Sequence, residues 1–255
     1  VIIARPEPLP QPQAVIYQAP FQAPLLPIMS TAERELNAAI EILPGRLYWV
    51  ALSGNPPHTQ GKSFFNIDND LIYWNFFLDF GPLNLGHLYR YCALLNNKLS
   101  EPKLKDRIIY HSCGTHPHKR TNSAFLIAAW SILYLGRSPE EAFRPFKHIQ
   151  PGFSNWHDAT PGVCSFQLTV MDTLLGLYKA RECGFFDFNK FNIEEYEHFE
   201  QVENGDLNWT LANKFIAFAG PHATRESHPG GYTSLVPEDY VPYFKRKNVK
   251  LVVRL

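Results

Sequence analysis

Apolar positions along this chain fall into short β-branched runs and longer helical stripes, and their alternation predicts most of its elements. Arg107-Ile108-Ile109-Tyr110-His111 reads as a buried strand over 107–112, and Thr121 to Leu135, with Phe125, Leu126, Ile127, Trp130, Ile132 and Leu133 and no breaker, as a core helix. Ahead of them, Leu36, Ala39 and Ile40 predict a short helix over 31–42, followed by strands at Arg46 to Leu52, Phe64 to Ile67 and Leu71 to Trp74, the last two joined by an Asp68-Asn69-Asp70 turn. Leu85, Leu88, Tyr89, Cys92 and Leu95 predict a helix from Pro82 to about Leu99. Beyond the core helix, Ser138-Pro139-Glu140-Glu141 starts a helix to about Lys147, and Phe166, Leu168, Val170, Met171, Leu174, Leu175 and Tyr178 predict another over 163–183. Helices alternating with strands predict an α/β layer fold with a central sheet flanked by helices.

Residues 192–206 differ in kind. Glu194, Glu197, Glu200 and Glu203 recur every three positions beside Ile193, Tyr196, Phe199 and Val202, so one helix would carry an acidic stripe next to an apolar one. Like charges at this spacing repel by a few tenths of a kcal/mol per pair. The stripe is either a solvated face or an attractor for a cationic partner. After it the pattern restarts: strand 214–219, a helix from about Pro237 ending in Lys245-Arg246-Lys247-Asn248, and strand 249–255.

Composition narrows the classes. The 255 residues balance 24 basic against 24 acidic side chains, with 45% hydrophobic and 14% aromatic content, which suits one large or two small domains. Neither a basic excess for nucleic acid nor an apolar run of the ~20 residues a membrane span needs is present. Cys92, Cys113, Cys164 and Cys183 are scattered without paired spacing, which points to a reducing, intracellular setting. Residues 1 to about 30, with Pro6, Pro8, Pro10 and Pro12 alternating, read as a tail. The opening on Val1 and the end inside an apolar pattern read as a fragment, with apolar edges prone to aggregation or poor order beyond about residue 210.

The candidate chemistry sits where strand 107–112 hands over to the core helix, through Ser112-Cys113-Gly114-Thr115-His116-Pro117-His118-Lys119-Arg120. A loop feeding a helix N-terminus gathers unpaired amides and dipole, and Lys119 and Arg120 add charge, so phosphate is the natural occupant. The order strand, cysteine, loop, arginine, helix resembles the cysteine-dependent protein phosphatases. Their motif is His-Cys, five residues, then Arg; here Ser112 precedes Cys113, Lys119 takes the arginine position and Arg120 comes one residue late. Lysine cannot copy the planar fork of arginine, and Pro117 withdraws one amide. Cys113 is either a degenerate nucleophile or a buried structural thiol. Asp79, 34 residues earlier, is either the counterpart of the general acid or the cap of the helix near Pro82. His111, Cys113, His116 and His118 could together ligate zinc, but their spacing fits no standard pattern, so no metal and no cofactor is expected.

Several longer runs carry a more specific resemblance. These are Asp79-Phe80-Gly81-Pro82-Leu83-Asn84-Leu85, Lys119-Arg120 with Asn122 and Ala124-Phe125-Leu126-Ile127, Ser138-Pro139-Glu140-Glu141-Ala142, Gly184-Phe185-Phe186-Asp187-Phe188, and Glu195-Tyr196-Glu197-His198-Phe199-Glu200 with Glu203-Asn204-Gly205-Asp206. Over about residues 43–255 the chain resembles the N-terminal half of the cell-division-cycle-fourteen family of dual-specificity protein phosphatases. The resemblance implies a tail and short helix over 1–42, a non-catalytic phosphatase-like domain over 43–190, an acidic linker helix over 191–208 and the truncated start of a second, catalytic copy of the fold over 209–255. It implies a parent hydrolase whose working Cys-Arg loop lies outside this chain, leaving Cys113 and Asp79 as degenerate counterparts and the chain alone inactive. Acids of the linker helix would attract a basic residue of a phosphoserine-proline substrate: Glu197, Glu200 and Glu203, with Asp158 nearby. The implied role is reversal of proline-directed phosphorylation at mitotic exit and cytokinesis, in nucleus, nucleolus and cytoplasm, with the catalytic domain as a partner and homodimers possible. The competing reading is a pseudophosphatase module whose Lys119-Arg120 loop binds a phosphopeptide.

Overall fold

A computed structural model of the chain describes residues 30–229 and 231–254. The Pro-rich tail therefore lies outside the described residues up to Ser30. The described chain is mixed α/β, with a four-stranded sheet in the order β1-β2-β4-β3 and a separate two-stranded hairpin.

Helix α1 (Thr31–Asn37) is started by a capping box between Ser30 and Glu33 and is shorter than the pattern predicts. Its predicted end is instead strand β1 (Ile40–Leu43), which turns through Gly45, at φ +64°, into antiparallel β2 (Leu47–Leu52). Strand β3 is Lys62–Phe65, and the strand expected at Leu71 to Trp74 is not formed. That stretch has β-formers but pairs with no strand: it runs as an irregular loop that leaves Trp74 82% and Phe76 91% exposed.

Helix α2 (Leu85–Ser100) begins three residues later than expected, because Asn84 caps it by accepting the His87 amide hydrogen. Strand β4 (Ile108–Gly114) runs parallel to both β2 and β3 and includes Cys113, so the supposed loop residue is a strand residue level with Ala51. Helix α3 (Pro117–Leu135) starts four residues earlier than the apolar pattern alone predicts, with Pro117 in its first turn, where a missing N–H costs nothing. It is buried continuously from Arg120 to Ile132 and packs against α2, β2 and β4. Trp49 of β2 donates its indole N–H to Ser123 of α3 at 2.8 Å.

Helix α4 (Pro139–Phe143) continues into a 3₁₀ turn at Arg144–Phe146. Helix α5 (Val170–Glu182) lacks the expected first two turns: a Trp156–Leu168 bridge holds that stretch extended, and Val163 and Phe166 point to solvent. Helix α6 (Ile193–Glu200) is half the expected acidic helix, the rest being a 3₁₀ turn at Val202–Asn204. Strands β5 (Leu207–Leu211) and β6 (Phe215–Phe218) then pair antiparallel, and helix α7 (Pro237–Arg246) packs Tyr240 and Tyr243 onto Leu207. The strand expected at 249–255 is not formed over its described residues.

Candidate functional site

Parallel pairing of β3 with β4 sets Phe65 level with His111, so the chain three residues further on brings Asp68 level with Gly114. The Asp68 carboxylate accepts the Gly114 amide hydrogen at 2.7 Å and lies 3.7 Å from the Lys119 ammonium. An acid from the turn after the neighbouring strand thus sits among the donors that a phosphate would use. Little of the anion cradle remains. The His118 amide hydrogen goes to the His116 ring, and Pro117 has none. Asp68 carried no predicted role; its signal in the sequence is the Asp68-Asn69-Asp70 turn, readable only once the strand register is known.

Arg120 is 5% exposed and turned away from this loop, donating to the carbonyl oxygens of Pro151 at 2.7 Å and Gly152 at 3.5 Å and lying over the Phe153 ring. It is a strut between α3 and the 150–153 loop. Lys119, by contrast, remains half-exposed at the rim. Cys113 is 1% exposed; burial pushes its thiol up to about 12, with Ser123, Arg120 and Lys119 pulling weakly against that and Asp68 adding to it. A nucleophile of this type must be a thiolate at neutral pH. Cys113 is a thiol.

Asp79 accepts hydrogen bonds from the Tyr73 hydroxyl at 2.5 Å and the Phe77 amide at 2.7 Å, and these hold its carboxyl below the usual range. It neither caps α2 nor carries the proton a general acid must donate. It lines, with His116, His118 and Lys119, a cleft of about 450 Å³ whose floor is Phe80 stacked on His118.

The acidic stripe is divided among different jobs. Glu197 is paired through both oxygens with the Arg90 guanidinium of α2, chiefly a hydrogen-bond effect that lowers its own titration range. Glu200 accepts from Asn84 at 2.9 Å and from Asn208 of β5, tying α6 to both neighbouring units. Glu203 lies exposed in the 3₁₀ turn. Asp158 is exposed on a different loop, where Thr160 donates to it at 3.0 Å. Glu195, not singled out in the sequence, carries the contact to α7 through Lys247 at 2.5 Å and Tyr243 at 3.3 Å. Tyr196 packs so closely on Gly86 that a Cβ there would stand 3.0 Å from its ring. The α6 helix is a clamp before it is a charged surface.

The histidines and cysteine at 111–118 do not converge. His111 is fully buried, stacked on Phe65 and bonded to the Tyr91 hydroxyl at 2.9 Å, and burial draws it down to about 3. Among the described residues the group whose ligand atoms do converge is His157, Asp158 and Cys164. No helix among them is long and apolar enough to cross a membrane.

A family model described as "Dual specificity protein phosphatase, N-terminal half" matches residues 41–180, from β1 to α5. The chain is 45% identical over 228 residues to the dual specificity protein phosphatase CDC14A of Homo sapiens, covering 89% of this chain and 38% of that protein. It is 43% identical over 210 residues to CDC14B of Mus musculus, and 34% identical over 227 residues to the tyrosine-protein phosphatase CDC14 of Saccharomyces cerevisiae, which cover 82% and 86% of the chain. The chain spans about two-fifths of the length of these relatives, 38%, 43% and 40% in turn. The chain therefore belongs to the CDC14 family of dual-specificity protein phosphatases, of which it carries an N-terminal part.

Proposed function

We propose that this chain is the substrate-recognition and structural half of a dual-specificity phosphatase, catalytically silent by itself. The observation that carries the reading is the Asp68 carboxylate on the Gly114 amide, beside a Cys113 held as a thiol. A loop whose donors already hold a carboxylate offers a phosphoryl group repulsion where it needs attraction. The phosphopeptide-binding alternative meets the same obstacle, since Arg120 is committed to Pro151 and Gly152.

In this reading the first unit is the sheet with α1 to α5, α6 is the linker, and β5, β6 and α7 open a second copy of the phosphatase fold whose remainder supplies the Cys-Arg loop. The substrate is a phosphoserine-proline site with a nearby Lys or Arg, dephosphorylated in cell-cycle control in nucleus, nucleolus and cytoplasm. Glu197 is the recognition residue in this reading because its ion pair with Arg90 is partly exposed, so that a substrate's basic side chain can exchange with Arg90 there. Glu203 and Asp158 add negative potential, while Glu200 holds the joint. The test is charge reversal at Glu197 in a form extended through the region this chain does not cover. Glu197→Lys should lower kcat/KM for a basic phosphopeptide by roughly 5-fold, through KM, and leave a small aryl phosphate unchanged. Equal effects on both substrates would refute the recognition role.

A further inference from the structure

We propose that His157, Asp158 and Cys164 form a zinc site that pins the 156–168 loop beside the Asp79 loop. Their ligand atoms all lie within 4.8 Å of one another, and the set combines imidazole, carboxylate and a buried thiol, which favours zinc over calcium or magnesium. Tetrahedral bonds of about 2.1 Å place ligands ~3.5 Å apart, so each pair needs to close by at most roughly 1.3 Å.

The imidazole supplies a second, independent observation. Its Nδ1 contacts the Asp158 carbonyl oxygen and its Nε2 lies 3.3 Å from the Gly162 carbonyl oxygen. A neutral ring has one N–H, so in that form one nitrogen directs its lone pair at an oxygen lone pair, whereas a protonated ring donates to both. A cation between them turns that repulsion into two bonds. With Nδ1–H donating to the Asp158 carbonyl, Nε2 is the metal ligand, the arrangement that second-shell carbonyls commonly enforce on metal-binding histidines. Gly162, at φ +109°, adopts a backbone conformation other residues rarely reach and turns its carbonyl to this side as a fourth ligand.

The scaffold around the site is fixed. His157 exchanges two backbone hydrogen bonds of 2.8 Å with Phe80, and the Trp156 amide donates to the Leu168 carbonyl oxygen at 2.8 Å in the antiparallel bridge that closes the loop. Cys164 is 4% exposed, with its sulfur 3.2 Å from the Phe166 carbonyl oxygen. On binding, the thiol proton leaves to solvent and the sulfur changes partner from that oxygen to the metal. The site is structural.

The test is titration of the whole chain, freed of metal by a chelator, with Co²⁺ followed by its thiolate charge-transfer band, and with Zn²⁺ in competition. One equivalent should bind with a thiolate band, Cys164→Ser should abolish the band, and the exposed Asp158→Asn should weaken binding by about 10–100-fold with unchanged circular dichroism. Cys113→Ser and Cys183→Ser should bind as the parent does. Folded protein that takes up no stoichiometric metal, a band that survives Cys164→Ser, or full affinity in Asp158→Asn would overturn the proposal.

Discussion

Asp68 accepts the Gly114 amide hydrogen at 2.7 Å while its carboxylate faces Lys119 at 3.7 Å, so the strand-to-helix junction holds an anion of its own. A carboxylate supplied by the fold is always present at this position, whereas a phosphate must first displace it. In the proposed reading this carboxylate competes with phosphate for the loop, and a single change tests that competition.

Asp68→Ala should free the Gly114 amide and the Lys119 ammonium. Stability should fall by about 1–3 kcal/mol, the cost of a buried amide without its charged acceptor. Inorganic phosphate should then raise the Tm of the variant more than that of the parent. Thermal melts of both proteins across a phosphate series check this, and equal responses would mean that Asp68 does not guard the loop.

Cys113 should resist alkylation at neutral pH, since its thiol is pushed up to about 12 and is 1% exposed, while Cys183 on the surface should react. Peptide mapping after brief iodoacetamide treatment of folded protein reads this directly. Label on Cys113 at a rate matching Cys183 would contradict its burial.

His111 should make the fold acid-sensitive. Its folded value, about 3, lies below the ordinary histidine value, so the unfolded chain takes up a proton that the folded chain refuses. The stability it supports is complete above about pH 6.5 and falls as pH drops from there towards 3, by up to roughly 5 kcal/mol. Denaturant midpoints measured across that range should fall less steeply for His111→Phe than for the parent. Parallel slopes would assign the acid sensitivity elsewhere.

Glu200→Gln should loosen the joint between α6 and its neighbours, because charged acceptance from Asn84 and Asn208 is replaced by a weaker neutral bond. A loss of about 1–2 kcal/mol is expected, with faster amide exchange at β5. Glu197→Gln should cost less than about 1 kcal/mol, since its ion pair with Arg90 is open to solvent. The reverse order would exchange the roles assigned to the two acids.

How much of this is visible in the sequence depends on what each element requires. Strand β4 and helix α3 follow from local pattern, because both are buried almost throughout and nothing interrupts them. The stretch 71–74 misleads, since β-formers make a strand only when they pair in a sheet, and this stretch pairs with none. The acidic helix ends at Glu200, short of its periodic pattern: it buries no residue fully, and Gly205, at φ +124°, turns the chain towards β5. Glu197 and Glu200 are legible as acids but not as partners of Arg90 and Asn84, which lie 107 and 116 residues away. Asp68 is the clearest case, since its role exists only through the β3–β4 register.

The most direct measurement is hydrolysis of a small aryl phosphate by this chain beside its Cys113→Ser variant. Neither protein should turn it over above background, and activity should appear in a form extended through the region the chain does not cover. Turnover by the chain itself that disappears in Cys113→Ser would show the degenerate loop to be a working one and contradict the assignment of Asp68, Lys119 and Arg120.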